Sequence, residues 1–129
     1  MVAGILEHAN FSVSDPQKTA DMLCAIFDWR IRWSGDAIHG GHTIHVGGQD
    51  SYLAIYAQAE MRKAAPNDYK TVGAMNHIGV VVEDLDAAEA RVLEAGFQTT
   101  NHGDYEPGRR FYFHDHDGIE FEVVSYQPK

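Results

Sequence analysis

The chain has 129 residues, of which 44% are hydrophobic and 22% charged, a balance that suits one packed domain or two half-size units sharing a core. Nineteen Asp and Glu against ten Lys and Arg leave a formal net charge of -9, which repels phosphate backbones and anionic lipid, so neither nucleic acid nor a membrane surface is an expected partner. The single cysteine, Cys24, excludes an internal disulfide framework and any multi-cysteine zinc cluster, while eight histidines is the unusual count.

No apolar run approaches the roughly 18 to 20 residues of a membrane helix. The opening MVAGILEHANF has no basic region ahead of its apolar residues and no cleavage pattern, so a cytoplasmic location is expected. Residues 5–13 alternate, with Ile5, Ala9, Phe11 and Val13 on one side and His8 and Asn10 on the other, predicting a strand. Asp15 suits a helix N-cap and Pro16 the first helical position. Ala20, Leu23, Cys24 and Phe27 then follow as one apolar stripe. Strands fit residues 30–34, 42–47 and 52–57. The stretch from Gln58 to Ala74 has no strand pattern and reads as a linker with room for one short helical turn.

The pattern then recurs, and internal repetition is the strongest guide to architecture. His8 pairs with His77 and Asp15 with Asp84 at an offset of 69 residues, and the strand from Tyr52 falls on the strand from Glu120 at an offset of 68. Asp84 caps a second helix carrying Leu85, Ala88, Val92 and Ala95, and Gly96 is placed to end it in a left-handed conformation. Strands near 97–101, 109–114 and 119–126 complete this half. The chain thus divides into a first module at about 5–58, a linker at 59–74 and a second module at about 75–126.

Alternation predicts which residues occupy the sheet face away from each helix. These are His8 and Asn10 in the first strand, His77 and Gly79 in the fifth, Arg110, Tyr112 and His114 in the seventh, and Glu120, Glu122 and Val124 in the last. His8, His77 and Glu122 are the sharpest set. Two imidazoles and a carboxylate can hold a divalent metal on one side while leaving positions open for substrate or water. Taken singly, each also has an ordinary structural role. Tyr52, Tyr56 and Trp33 suit an aromatic pocket. Cys24 on the apolar stripe is expected in the core. His42 and His45, three apart in a strand, point to opposite faces, and His114 and His116 fit a polar turn.

The paired modules, the histidine opening each half and the ending DHDGIEFEVV resemble the vicinal oxygen chelate superfamily, which includes glyoxalase I, extradiol dioxygenases, bleomycin-resistance proteins, fosfomycin-resistance thiol transferases and methylmalonyl-CoA epimerase. The resemblance covers Leu6 to about Tyr126. It implies an α+β fold of two tandem β-α-β-β-β modules whose curved mixed sheets enclose a central cleft. It also implies a homodimer, with metal sites often built from modules of both chains. His116 stands where the closing motif usually has proline.

The departures discriminate among members. Glyoxalase I normally adds a glutamate ligand where this chain has Ala54, and the epimerase resemblance has the same gap. Extradiol dioxygenases and the thiol transferases use three ligands, which His8, His77 and Glu122 match. By resemblance to the dioxygenases, Tyr112 would hold a substrate oxygen and His102 would shuttle a proton. Ser51 stands near where their second catalytic histidine would be. The thiol transferases bind a phosphonate through a threonine, here Asn10, and a cation loop, here the acidic NHGDYEPG, for which Arg109 and Arg110 would compensate in part.

The resulting expectation is a metal-dependent enzyme acting on a small substrate that chelates through neighbouring oxygens. Fe2+ is the first choice of metal, with Mn2+, Ni2+ or Zn2+ as alternatives. The ligands are His8, His77 and Glu122, the catalytic groups Tyr112 and His102, and the substrate contacts Asn10, Tyr52, Tyr56 and Arg110. The reaction leans toward extradiol-type oxidation, with glyoxalase-type lyase or isomerase chemistry or thiol transfer as alternatives. A metal-free small-molecule or antibiotic-binding protein is the competitor from another class.

Overall fold

In the computed structural model, which describes residues 1–128, both helices start where a short acidic side chain can satisfy free backbone N–H groups. The Asp15 carboxylate accepts from Gln17 and Lys18 N–H at 3.1 and 3.2 Å, opening helix α1 (Pro16–Phe27). Asp84 accepts from Ala87 N–H at 3.0 Å, opening α2 (Leu85–Glu94). Gly96, at φ 95°, turns the chain out of α2 in the left-handed region, as its position predicts.

Eight strands accompany the helices: β1 (His8–Ser12), β2 (Arg30–Ala37), β3 (Gly41–Gly47), β4 (Tyr52–Ala57), β5 (Ile78–Val81), β6 (Thr99–Tyr105), β7 (Gly108–His114) and β8 (Glu120–Ser125). They form two four-stranded mixed sheets of identical order, β1-β4-β3-β2 and β5-β8-β7-β6. In each, the first strand runs parallel to the last and the other pairings are antiparallel. The chain divides into two compact units, Met1–Lys63 and Ala64 onward.

One side of each sheet packs on its helix. In the first unit Ala20, Leu23 and Ile26 of α1 and Ile44, Val46 and Ile55 of the sheet are all buried. In the second unit Leu85, Ala88 and Val92 of α2 bury with Phe111, Phe113, Phe121 and Val123. Phe113 and Phe121 are cross-strand partners stacked at 5.1 Å. No helix is long and apolar enough to cross a membrane among the described residues.

Three strands differ from expectation, and one of them, β2, runs on to Ala37 rather than ending at residue 34 because Gly35, Asp36 and Ala37 pair with Thr43, His42 and Gly41. β1 begins at His8 rather than residue 5, because its partner β4 begins at Tyr52, whose N–H reaches only as far as the Glu7 carbonyl at 3.1 Å. Ile5 and Leu6, with no strand beside them, are exposed. β6 continues through the acidic stretch to Tyr105, since Gly103, Asp104 and Tyr105 find ladder partners in Arg110, Arg109 and Gly108.

Candidate functional site

In the second unit, sheet register decides which side chains meet. Glu122 lies between Gly79 of β5 and Tyr112 of β7, and Glu120 lies opposite His114. With period-two alternation, Arg110, Tyr112, His114, Glu120 and Glu122 share the face away from α2. His77, immediately before β5, brings its Nε2 to 3.7 Å from Glu122 Oε1. The other carboxylate oxygen, Oε2, accepts from the Tyr112 hydroxyl at 2.6 Å and from Arg110 Nη1 at 3.2 Å.

The two oxygens of Glu122 therefore have different work. Oε2 is engaged by two donors, and Oε1 is left facing an imidazole nitrogen beyond hydrogen-bonding distance. Partial burial raises the Glu122 carboxyl, but the hydrogen bonds from Tyr112 and Arg110 outweigh it, so the group is held below its ordinary range and stays ionised. The same bond, with burial, pushes the Tyr112 phenol up to about 12. Tyr112 is thus a protonated donor at neutral pH.

The first unit presents rings instead. His8, Asn10 and Tyr52 share the face away from α1, with Asn10 and His45 both opposite Ala54. Tyr52 stacks on His8 at 4.9 Å and on His45 at 4.5 Å, and the Arg32 guanidinium lies 4.8 Å over the Tyr52 ring. Trp33 tilts against His45 at 5.1 Å. Glu7 Oε1 joins His8 Nδ1 at 2.9 Å and accepts from the Tyr52 hydroxyl at 3.1 Å. Burial, and then the neighbouring His8 and Arg32, lower the pKa of His45.

Several residues chosen from the sequence lie elsewhere. His102 Nε2 meets Glu89 Oε2 of α2 at 2.6 Å, and its ring lies 6.2 Å from buried Phe111. It is therefore on the helix-bearing side, turned there by a register shift between Thr100 and Gly103, and is not brought to Glu122. Adjacent arginines split in the same way: Arg109 pairs with Asp86 of α2 at 2.8 Å, and Arg110 alone reaches Glu122. Tyr56 is buried, donates to the Ile38 carbonyl at 2.6 Å, and covers Gly41, where an added Cβ would stand 2.4 Å from its ring. Asn10 is exposed. Cys24 is half-buried, and burial raises its thiol, which suits packing over nucleophilic chemistry.

Sequence reasoning missed His45 and Tyr69. His45 had a signal, since it stands opposite Ala54 as Tyr112 stands opposite Glu122. Tyr69, in the segment between β4 and β5, had none; its hydroxyl lies 3.1 Å from His77 Nδ1 and hydrogen-bonds Glu120. Among the described residues, no group of three or more His, Cys, Asp and Glu side chains is gathered closely enough to hold a metal ion. What the second unit does supply is a pair. His77 Nε2 and Glu122 Oε1 stand 3.7 Å apart, farther than a hydrogen bond, a spacing compatible with two ligands at about 2.1 Å from one cation.

Residues 5–123 match the family model of the glyoxalase/bleomycin resistance protein/dioxygenase superfamily. The chain belongs to this superfamily. No curated protein matches it. A glyoxylase/bleomycin resistance protein/dioxygenase domain from Frankia sp. EAN1pec superposes with a TM-score of 0.81 at 20% identity, covering 98% of this chain and 100% of the other. The fosfomycin resistance protein FosX of Mesorhizobium loti gives 0.73 at 27% identity over 99% and 94%. TnmS3, an antibiotic binding protein from Streptomyces sp. CB03234, gives 0.74 at 20% over 97% and 98%. Chains of this fold thus include a fosfomycin resistance protein and an antibiotic binding protein, and residues rather than fold must decide what this one does.

Proposed function

We propose that the protein is a divalent-metal-dependent enzyme of this superfamily, with His77 and Glu122 as two ligands and His8 of a first unit, this chain's or a second copy's, as the third. The observation that carries the reading is the division of labour at Glu122: Tyr112 and Arg110 occupy Oε2, leaving Oε1 directed at His77 Nε2. Held donors around a ligating carboxylate are what orient and tune a metal site. When bound, the cation supplies Lewis-acid polarisation of a substrate that offers two neighbouring oxygens. Tyr112 keeps its proton and donates, and Arg110 fixes the carboxylate from the same side. Tyr52 and Asn10 line the corresponding face of the first unit as substrate contacts.

This reading moves away from extradiol oxidation. That reaction used His102 as a proton carrier, and His102 is engaged with Glu89 behind the sheet. Lewis-acid addition or isomerisation needs no group there. A FosX from Listeria monocytogenes is known with Mn(II) and 1S,2S-dihydroxypropylphosphonic acid, a vicinal diol, which makes Mn2+ the metal to try beside Fe2+. With Arg109 committed to Asp86, a phosphonate would find one arginine here rather than two.

A metal-free binding protein is the second reading, favoured by the Arg110–Glu122 pair at 3.2 Å, which already balances the carboxylate's charge, and by the ring stack of the first unit. Chelated, tag-free protein tested with epoxides, hemithioacetals and catechols, before and after Mn2+ or Fe2+ is restored, separates the two. The enzyme reading expects turnover that disappears on chelation and in Glu122→Ala and returns with metal. Ligand binding indifferent to chelation and to Glu122→Ala overturns it.

A further inference from the structure

Tyr69 is an unusual occupant of the segment before β5. It adopts φ 62°, a left-handed conformation that costs a bulky side chain free energy and persists only where the surroundings enforce it. The enforcement is visible. Tyr69 N–H donates to Asn67 Oδ1 at 3.0 Å, while Asn67 Nδ2 donates to the Asn76 carbonyl at 3.0 Å, next to His77. Asp68 Oδ1 accepts from Lys70 N–H at 2.9 Å and Thr71 Oγ1 at 3.2 Å. The turn is thereby tied to the residues leading into β5, and it delivers the Tyr69 hydroxyl between His77 Nδ1, at 3.1 Å, and the Glu120 carboxylate.

The protons at this junction can be counted. A carboxylate offers only acceptors, and a phenol offers one proton and accepting lone pairs. Tyr69 therefore donates to Glu120 and accepts from His77, which requires the His77 proton to be on Nδ1. His77 Nε2 is left with its lone pair toward Glu122 Oε1.

We propose that Tyr69 is a positioning residue which, backed by Glu120, holds His77 in the Nδ1–H tautomer and so frees Nε2 as a ligand atom. This role rests on the metal-binding reading for its purpose, but the tautomer itself is a property of the metal-free protein. In the first unit Glu7 contacts His8 Nδ1 directly, so the two histidines reach the same end by different partners.

The test is a long-range proton–nitrogen correlation spectrum of the metal-free protein, at a pH where the imidazole is neutral. In the wild type His77 is expected in the Nδ1–H form. Tyr69→Phe keeps the ring but removes the relay, and should move His77 toward the Nε2–H form and weaken Mn2+ binding in calorimetric titration by about tenfold. Glu120→Gln, which retains an acceptor for Tyr69, should keep the wild-type tautomer. A wild-type His77 in the Nε2–H form, or a tautomer unchanged in Tyr69→Phe, overturns the proposal. A wild type that shows the Nδ1–H form yet binds no metal supports the relay and overturns the metal reading instead.

Discussion

The two units place the same backbone frame under different chemistry. β4 and β8 occupy the same position in their sheets, so Ala54 and Glu122 are counterparts, as are Tyr52 and Glu120. The antiparallel neighbour opposite Ala54 is His45, and opposite Glu122 it is Tyr112. At equivalent places the first unit stacks rings, and the second collects carboxylates with donors attached. On the other side each sheet buries an apolar cluster under its helix. That side fixes the frame through burial, and the opposite side is therefore free to diverge.

The largest expected effect tests the shared frame. Phe121, fully buried and stacked on Phe113, should cost about 3–5 kcal/mol of stability when changed to Ala, measured by urea unfolding. Glu122→Ala, one residue along and on the other face, should leave the fold standing but weaken Mn2+ binding at least about 100-fold in calorimetric titration. His45→Ala, at the first unit's matching neighbour position, should change that affinity far less. Equal losses would dissolve the division between ring-bearing and charge-bearing units.

Smaller effects sharpen the same contrast. Tyr112→Phe removes one of the two donors on Glu122 Oε2 and should weaken Mn2+ binding by about tenfold, with the protein still folded by circular dichroism. Tyr56→Phe removes the bond to the Ile38 carbonyl and should lower stability by about 1 kcal/mol without altering ligand affinity, marking Tyr56 as part of the frame.

The smallest effect is on acid stability. Glu122 and Glu89 are both held below the ordinary value of 4.5, their hydrogen bonds outweighing the effect of burial. The unfolded chain binds protons more readily at these groups, so their contribution is full above 4.5 and is lost as pH falls through the lowered folded values. Asp115 acts in the opposite sense, since burial raises its carboxyl, and stability from it grows as pH falls. Urea midpoints measured down the acid limb should fall less steeply in Glu122→Gln than in the wild type.

Much of this was legible in the residues. Asp15 and Asp84 as caps, Gly96 as a stop, and the alternation that puts Arg110, Tyr112, Glu120 and Glu122 on one face all follow from local chemistry and a period of two. His102 escaped because a register shift between Thr100 and Gly103 turns it to the helix side, and single-residue slips are invisible in an alternating polar stretch. Arg109 and Arg110 looked like a pair, but neighbours in a strand diverge. Tyr56 looked like a pocket residue until its hydroxyl found the Ile38 carbonyl. Tyr69 could not be foreseen, because its contacts with His77 and Glu120 depend on a turn set by Asn67 rather than on any periodic element.

The central claim, that the charged face of the second unit holds a divalent cation, is tested most directly by elemental analysis of protein purified without an affinity tag. About one metal per chain, lost in both His77→Ala and Glu122→Ala while the variants stay folded, is the result this account predicts. No metal under any loading condition, or a metal content unchanged by either substitution, would contradict it.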